Sequence, residues 1–569
     1  MLTRLRVRNF KTLEDVDIPL GQNVVLIGPN NSGKTSALQA LALWKSGLNE
    51  WTTRRPEGAS QAKQRVGVTL NRRALTHTPV LQARALWREL RVTVANRENG
   101  SPNTQHVFVD ITVDGETRGE PWRCGFEFQY ANPESIYCRP VRLNGGNERL
   151  AVPAIASEAR VAFLPPMSGL VTEEPELQPG RVSVLIGEGQ TAQVLRNLCF
   201  QVSDKNADDW KAIATEIERV FGVKFHAPKR QPIRGSIELA YEQDGIEFDI
   251  SSAGRGMQQT LLLLAHIYAN RGAALLLDEP DAHLEILRQR QVYALITDAA
   301  RRAGSQIIAA SHSEILLNEA ADKDVVIAFV GRKPHRIDDR GSQVLKSLKE
   351  IGFEQYAQAE QRGFVIYLEG STDFAILKAF ARRLSHPARQ ILDGAPFVHY
   401  VANQPNEALK HFQALKEAKP SLKAFALFDR LSRPLPDGFL LPSVQWRRCE
   451  IENYLCSRDV LLRYAEGMET DDLVEHALQA ERRDKMTTAI ESVEGALRTL
   501  GKDAWSPDTK VSDDFLKPLF NTYFNSLKND NRLNKSNYHE LAEFVAVDEI
   551  DPDIIDCLDQ LVAAAPPTP

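Results

Sequence analysis

The sequence predicts an α/β chain built in two parts, and three observations predict it. Near the N-terminus a short apolar run enters a glycine-rich loop, Gly28 to Thr35, and a helical pattern follows. A second apolar run, Ala274 to Leu277, ends in two carboxylates, Asp278 and Glu279. A third series of apolar runs opens at Phe364 and again ends in carboxylates, at Glu369 and Asp429. A chain of 569 residues is too long for one core. The expected division is a first domain over 1–345, carrying a helical insertion at about 186–232, and a second over 360–569 with a helical C-terminal part.

The elements follow in order. Leu5, Val7 and Phe10 alternate with Arg4, Arg6 and Arg8, which predicts a strand covered on one face. Val24 to Ile27 predicts a strand feeding a helix that begins near Lys34. From about 91 to 150 apolar and polar residues alternate between turn signals such as Asp114-Gly115 and Asn144-Gly145, the pattern of an antiparallel lobe. The spacing of Val194, Leu195, Leu198, Trp210, Ile213 and Ile217 predicts helices. Strand and helix patterns alternate over 247–330, and again from Phe364. The chain from about 457 reads as helical and charged, ending in a disorder-prone Ala-Ala-Pro-Pro-Thr-Pro.

Composition limits the classes. A formal net charge of -6 excludes a chromatin-like basic coat and leaves a local basic groove open. The six cysteines show no metal-ligand spacing, as expected of buried thiols in a reducing compartment. The N-terminal stretch lacks the apolar core of a signal peptide, and the most apolar stretch is too short to span a bilayer. The expectation is a cytoplasmic protein without a membrane partner.

Gly28, Pro29, Asn30, Asn31, Ser32, Gly33, Lys34 and Thr35, followed by Ser36, fit G-x-x-x-x-G-K-[ST] between a strand and a helix. Such a loop turns successive N–H groups toward phosphates. The lysine reaches the β/γ-phosphates and the threonine hydroxyl meets Mg²⁺. Asp278, at the end of a buried strand, is placed for the same metal, and Glu279 for taking a proton from an attacking water. Asp278 lies 244 residues beyond Lys34, so a large insertion must separate the two halves of the site. Ser252 and Gly254 precede a helix 26 residues before Asp278, counted from Ser252, and His312 follows an apolar strand 34 residues after it.

With these four pieces in this order the chain resembles the ABC-type ATPases, including the SMC proteins. In that family a Ser-x-Gly helix start from one protomer meets the nucleotide held by the other, and a histidine senses the γ-phosphate. Ser252, Gly254 and His312 match those positions, while Ala253 stands where a glycine is usual. The resemblance implies ATP as ligand and a homodimer or larger oligomer.

In the second part Glu369-Gly370 ends one strand, Asp373 opens a helix, and Asp429 ends another strand 60 residues after Glu369. Carboxylates at the C-terminal ends of parallel strands converge on one sheet edge, and paired hard oxygens suit Mg²⁺ or Mn²⁺. Two such ions can stabilise the attacking and leaving oxygens of a phosphodiester displacement. This pattern resembles the Toprim module, Glu-Gly-x-x-Asp followed by Asp-x-Asp, and the whole chain resembles the OLD-family nucleases, with relatives in Gabija, retron-associated and PARIS-type systems. Leu431 replaces the second Asp of Asp-x-Asp, and Glu450 and Glu452 are the local substitutes as metal ligands. Lys535 resembles a lysine that those nucleases place by the scissile phosphate. The resemblance implies antiviral cleavage of nucleic acid, DNA first and RNA such as tRNA second. It also implies a defence-system partner, either protein or non-coding nucleic acid. The other class left open is a sensor or scaffold whose Toprim-like part is inactive and holds an effector.

Overall fold

Strand Asn23–Ile27 buries four of its five residues and sits inside a sheet, which explains its unbroken apolar run. It pairs in parallel with Gln306–Ser311 on one side and Val325–Ala328 on the other. The sheet continues through Ala274–Asp278 to Val161–Leu164, also parallel, and closes with the antiparallel edge strand His335–Arg336. In this computed structural model the chain forms two compact units, Met1–Phe353 and Glu354–Pro569. The structure describes every residue outside 56–66, 72–74, 76–77, 79, 99–100, 144–147, 322, 330–333, 338–350, 436–437, 468–472, 528–532 and 567–569. The turn expected at Asn144-Gly145, the boundary at 345 and the last three residues of the tail lie outside the described residues.

The second sheet of the first unit is antiparallel, with six strands. Its order is Leu13–Pro19, Leu2–Phe10, Val109–Thr117, Glu120–Asn132, Ser135–Pro140, Val68–Asn71. The lobe therefore draws on the chain's first strands as well as on the 91–150 region, whose hairpin Thr93–Glu98 and Ser101–His106 stands as a separate two-stranded sheet. Charge explains the recruitment of Leu2–Phe10. Its inward Leu5, Val7 and Phe10 are buried, while Arg4 pairs with Asp17, and Arg6 and Arg8 with Asp114 and Asp110. Helix Lys34–Arg54 joins the two sheets. Leu38, Leu41 and Leu48 share one core with Phe126 and Phe128 of the lobe and with Leu26, Leu276 and Ile308 of the parallel sheet. Trp44 donates from its indole to the Cys124 carbonyl at 3.0 Å.

Between the two halves of the parallel sheet run helices Pro179–Gly187, Leu195–Lys205 and Ala207–Phe221. The last is capped by Asn206, whose side chain accepts from the Asp208 N–H, and ends at Gly222 in the left-handed region. Helix stops there, short of residue 232, because Lys224–Phe225 and Lys229–Gln231 pair as strands.

The second unit is built on four parallel strands ordered Phe397–Tyr400, Phe364–Leu368, Lys423–Phe428, Ser443–Gln445. Helix Ser371–Arg383 and the C-terminal helices, among them Arg458–Glu466, Leu473–Thr499 and Pro552–Ala564, close its core around Ile366, Leu368, Ile376 and Phe380. Among the described residues, no helix is long and apolar enough to cross a membrane.

Candidate functional sites

The loop after Ile27 owes its shape to two glycines. A Cβ on Gly28 would lie 2.8 Å from the Phe329 carbonyl oxygen, and Gly33 has φ +103° with no room beside Leu13. Asn30, Asn31 and Thr35 are exposed, Ser32 is half-buried and its Oγ lacks a partner, and Ser36 is buried and bonded to Thr12. Lys34 donates to the carbonyls of Gly28 and Pro29 at 2.7 and 2.8 Å, and burial lowers its pKa.

Parallel pairing carries the acid strand to the same edge. Thr35 donates from Oγ1 to Asp278 Oδ1 at 2.9 Å, although 243 residues separate them. Burial raises the Asp278 carboxyl to about 6. Glu279 sits at φ +50°, its N–H bonded to the Ala310 carbonyl, and His312 Nδ1 lies 3.6 Å from its Oε1. Lys34, Thr35, Asp278, Glu279 and His312 thus meet at one edge. Ser252 and Gly254 are exposed just before the start of helix Arg255–Ala269. Gln258 locks that start by donating to the Ile250 and Ala253 carbonyls. Asp281, buried and bonded to Ser311, belongs to the same edge and was not singled out by the sequence, because its carboxylate follows Pro280 outside the strand pattern.

In the second unit the strand ends bring Glu369 and Asp429 into hydrogen-bond contact. Asp429 is held well above the usual carboxylate range, first by burial, then by Glu369, and further by Asp373 and Glu452. Asp373 is buried in the first turn of helix Ser371–Arg383, accepts from the Gly370 N–H at 2.9 Å, and is pushed up to about 6 by burial. Glu452 is buried and raised to about 7, by burial first and then by Glu450. Its Oε1 has no hydrogen-bond partner and stands 3.7 Å from Lys535 Nζ.

Glu450 is held differently. Its oxygens accept from the backbone N–H of Ser512 at 2.5 Å and from the Ser512 hydroxyl at 2.9 Å. Lys535 donates to that hydroxyl at 3.2 Å. Ser512 and Asn403, whose Oδ1 accepts from the Asp429 N–H at 3.0 Å, are parts that sequence reasoning missed. Asn403 lies in the left-handed region, where asparagine is tolerated, so the turn after Val401 was the available signal. Glu369, Asp373, Asp429 and Glu452 interact through their charges, and all offer hard carboxylate oxygens. Together with the unpartnered Glu452 oxygen, that donor set fits a divalent cation in its chemistry. As the side chains stand, no three His, Cys, Asp or Glu among the described residues form a ready metal cage.

Two family models match the first unit. One, described as "AAA ATPase domain", covers residues 1–65, and the other, described as "AAA domain, putative AbiEii toxin, Type IV TA system", covers 193–318. An OLD nuclease of Thermus scotoductus is 24% identical over 358 residues, which are 58% of this chain and 64% of that relative. The chain thus spans less than two thirds of that relative's length. Among solved structures, the SMC head domain from Thermotoga maritima is 15% identical, covering 59% of this chain and 98% of its own at a TM-score of 0.32. The recombination mediator protein RecF is 11% identical, covering 59% and 98% at 0.31.

Proposed function

We propose that this chain, which belongs with the OLD-family ATPases, is an ATP-regulated, metal-dependent nuclease that cuts DNA in antiviral defence. One observation carries the nuclease reading: four carboxylates gather at the C-terminal edge of a parallel sheet, with Lys535 beside them. A cluster of like charges this buried costs free energy unless protons or cations neutralise it. Mg²⁺ or Mn²⁺ bound by Glu369, Asp429 and Asp373, with Glu452 in support, would supply the Lewis acid and lower the pKa of an attacking water. Asp373 is fixed by the Gly370 N–H and Asp429 by Asn403, so the donors are held by backbone as well as by side chains. Lys535 is the cation placed to offset charge growing on phosphate oxygens.

In the first unit Lys34 and the loop N–H groups would bind the nucleotide phosphates, and Thr35 with Asp278 would hold Mg²⁺. Glu279 is the base, with His312 beside it. Ser252 and Gly254 are exposed and open to another copy of the chain; brought onto this nucleotide by that copy, they would make ATP binding and dimerisation one event. A defence partner, protein or non-coding nucleic acid, belongs to the same reading.

A second reading, a scaffold without nuclease activity, is favoured by Leu431 and by the lack of a ready metal cage among the described residues. Cleavage of supercoiled plasmid and of tRNA, with Mg²⁺ or Mn²⁺ and with or without ATP, separates the readings. Wild type should nick plasmid, Glu369→Ala should not, and Lys34→Ala should cut without responding to ATP. Cutting of tRNA alone would move the substrate to RNA. No cutting of either polymer would leave the scaffold.

A further inference from the structure

Gln289, in helix Ile286–Ala303, is half-buried and uses both ends of its side-chain amide. Its Oε1 accepts from the Ser313 hydroxyl at 2.7 Å, and its Nε2 donates to the Leu284 carbonyl at 3.0 Å. Ser313 directly follows His312, and its own N–H donates to the Ser311 hydroxyl at 2.9 Å. Ser311 is bonded in turn to Asp281, whose carbonyl accepts from the Leu284 N–H at 3.3 Å. Gln289 therefore closes a ring of contacts, from Asp281 through Ser311 and Ser313 to Leu284 and back. Glu279 and His312 sit beside that ring, 3.6 Å apart.

The turn inside the ring has an uncommon backbone. Glu279 and His283, neither of them glycine, lie at φ +50° and +64°. Residues so placed persist only where their surroundings over-determine them, and the bonds from Gln289 and Asp281 supply that restraint. The ring also touches the segment that carries Ser252 and Gly254. A Cβ on Gly256, in the first turn of helix Arg255–Ala269, would lie 3.2 Å from Leu284 Cδ2 and 3.6 Å from the His283 carbonyl oxygen. The helix start thus rests on the residue whose carbonyl Gln289 holds. Parts packed this closely shift together rather than independently.

We infer that Gln289 is a positioning residue that couples His312 to the Ser252–Gly254 segment. Movement of His312 toward a γ-phosphate carries Ser313 with it, and Gln289 passes that movement to Leu284 and so to helix Arg255–Ala269. The nucleotide held by one copy then sets the face which that copy offers to its partner. The inference rests on the ATP-site reading above and adds the link between its two halves.

The test uses the full chain and two variants of Gln289. Gln289→Met keeps the volume and loses both bonds; Gln289→Glu keeps an acceptor for Ser313 and loses the donor to Leu284. Gln291→Ala, an amide lost from an exposed position on the same helix, is the control. Binding of a fluorescent ATP analogue, at protein dilutions where the chain stays monomeric, should be unchanged in all three. In both Gln289 variants kcat for ATP hydrolysis should fall about tenfold. The protein concentration at which a non-hydrolysable ATP analogue drives dimerisation in sedimentation should rise about tenfold. The control should match wild type throughout. In a His312→Ala background, Gln289→Met should shift dimerisation no further, because the coupling needs both ends.

Wild-type kcat and dimerisation in either Gln289 variant would overturn the coupling, as would a full further shift in the His312→Ala background. A loss of analogue affinity as large as the loss of kcat, with a lowered melting transition, would also overturn it and leave a residue that only packs. Wild type that neither binds nor hydrolyses ATP would remove the ATP-site reading itself, and the coupling would fall with it.

Discussion

Ser512 concentrates three contacts on one buried residue. Its backbone N–H and its hydroxyl both donate to Glu450, and the same hydroxyl accepts from Lys535. It opens the π-helical turn Ser512–Leu516, a distortion found often at functional sites. Ser512→Ala should leave Glu450 with one donor fewer and let Lys535 drift from Glu452. Cleavage should fall about 10- to 100-fold, as for other partners that orient a site. As a positioning residue Ser512 should be rescued by Thr, and the loss should appear in kcat with KM little changed. A loss in Ser512→Thr equal to that in Ser512→Ala would make the residue structural only. The contrast with Glu369 and Asp429 shows what was legible in sequence. Those two are announced locally, by apolar strands that stop at an acid. The Ser512 and Asn403 bonds cross 62 and 26 residues from helical or turn segments with no pattern of their own. The loop from Gly28 to Thr35 is announced locally too, because its spacing is fixed within one continuous segment.

At the scale of elements, the helix Leu195–Lys205 is tied to the preceding loop by Glu174. Its carboxylate accepts from the backbone N–H groups of Arg196 and Asn197 and from the Asn197 amide, at 2.8, 2.7 and 2.6 Å. Burial nevertheless raises Glu174 from 4.5 to about 7. A carboxyl whose folded pKa lies above its unfolded value adds stability that is complete below about pH 4.5 and is lost as pH rises through about 7. Glu174→Gln cannot ionise, so the melting temperature of its unit, Met1–Phe353, should gain on wild type between about pH 5 and pH 8. At the lower pH the variant should be no more stable, because the amide keeps only one acceptor for three donors. A wild type and variant that melt in parallel across that range would remove Glu174 as the titrating group. Helix over Leu195–Lys205 and Ala207–Phe221 was legible here from apolar spacing. Its end was not, because a left-handed glycine and a two-residue strand carry no periodicity to read.

For the molecule as a whole, each unit closes its own core, one around Leu38, Phe126 and Ile308 and the other around Ile366, Phe380 and Leu541. Two cores allow two unfolding transitions, so a single melting temperature does not describe this chain. Each proposed site lies within one unit, and ligands should therefore move the transitions separately. A ligand at about 100 times its Kd adds about 2.7 kcal/mol to the unit that binds it. That is a shift of roughly 5–10 °C for Glu354–Pro569 and about 4 °C for the larger Met1–Phe353. In scanning calorimetry at fixed Mg²⁺, ATP should raise the transition of Met1–Phe353, and Lys34→Ala should abolish the shift. Mn²⁺ without nucleotide should raise that of Glu354–Pro569, and Glu369→Ala should abolish that one. The crossed controls decide the matter. An ATP shift that persists in Lys34→Ala would remove the loop as the nucleotide site. A Mn²⁺ shift that persists in Glu369→Ala would place the cation away from the carboxylate edge, and with it would go the chemistry assigned to that edge.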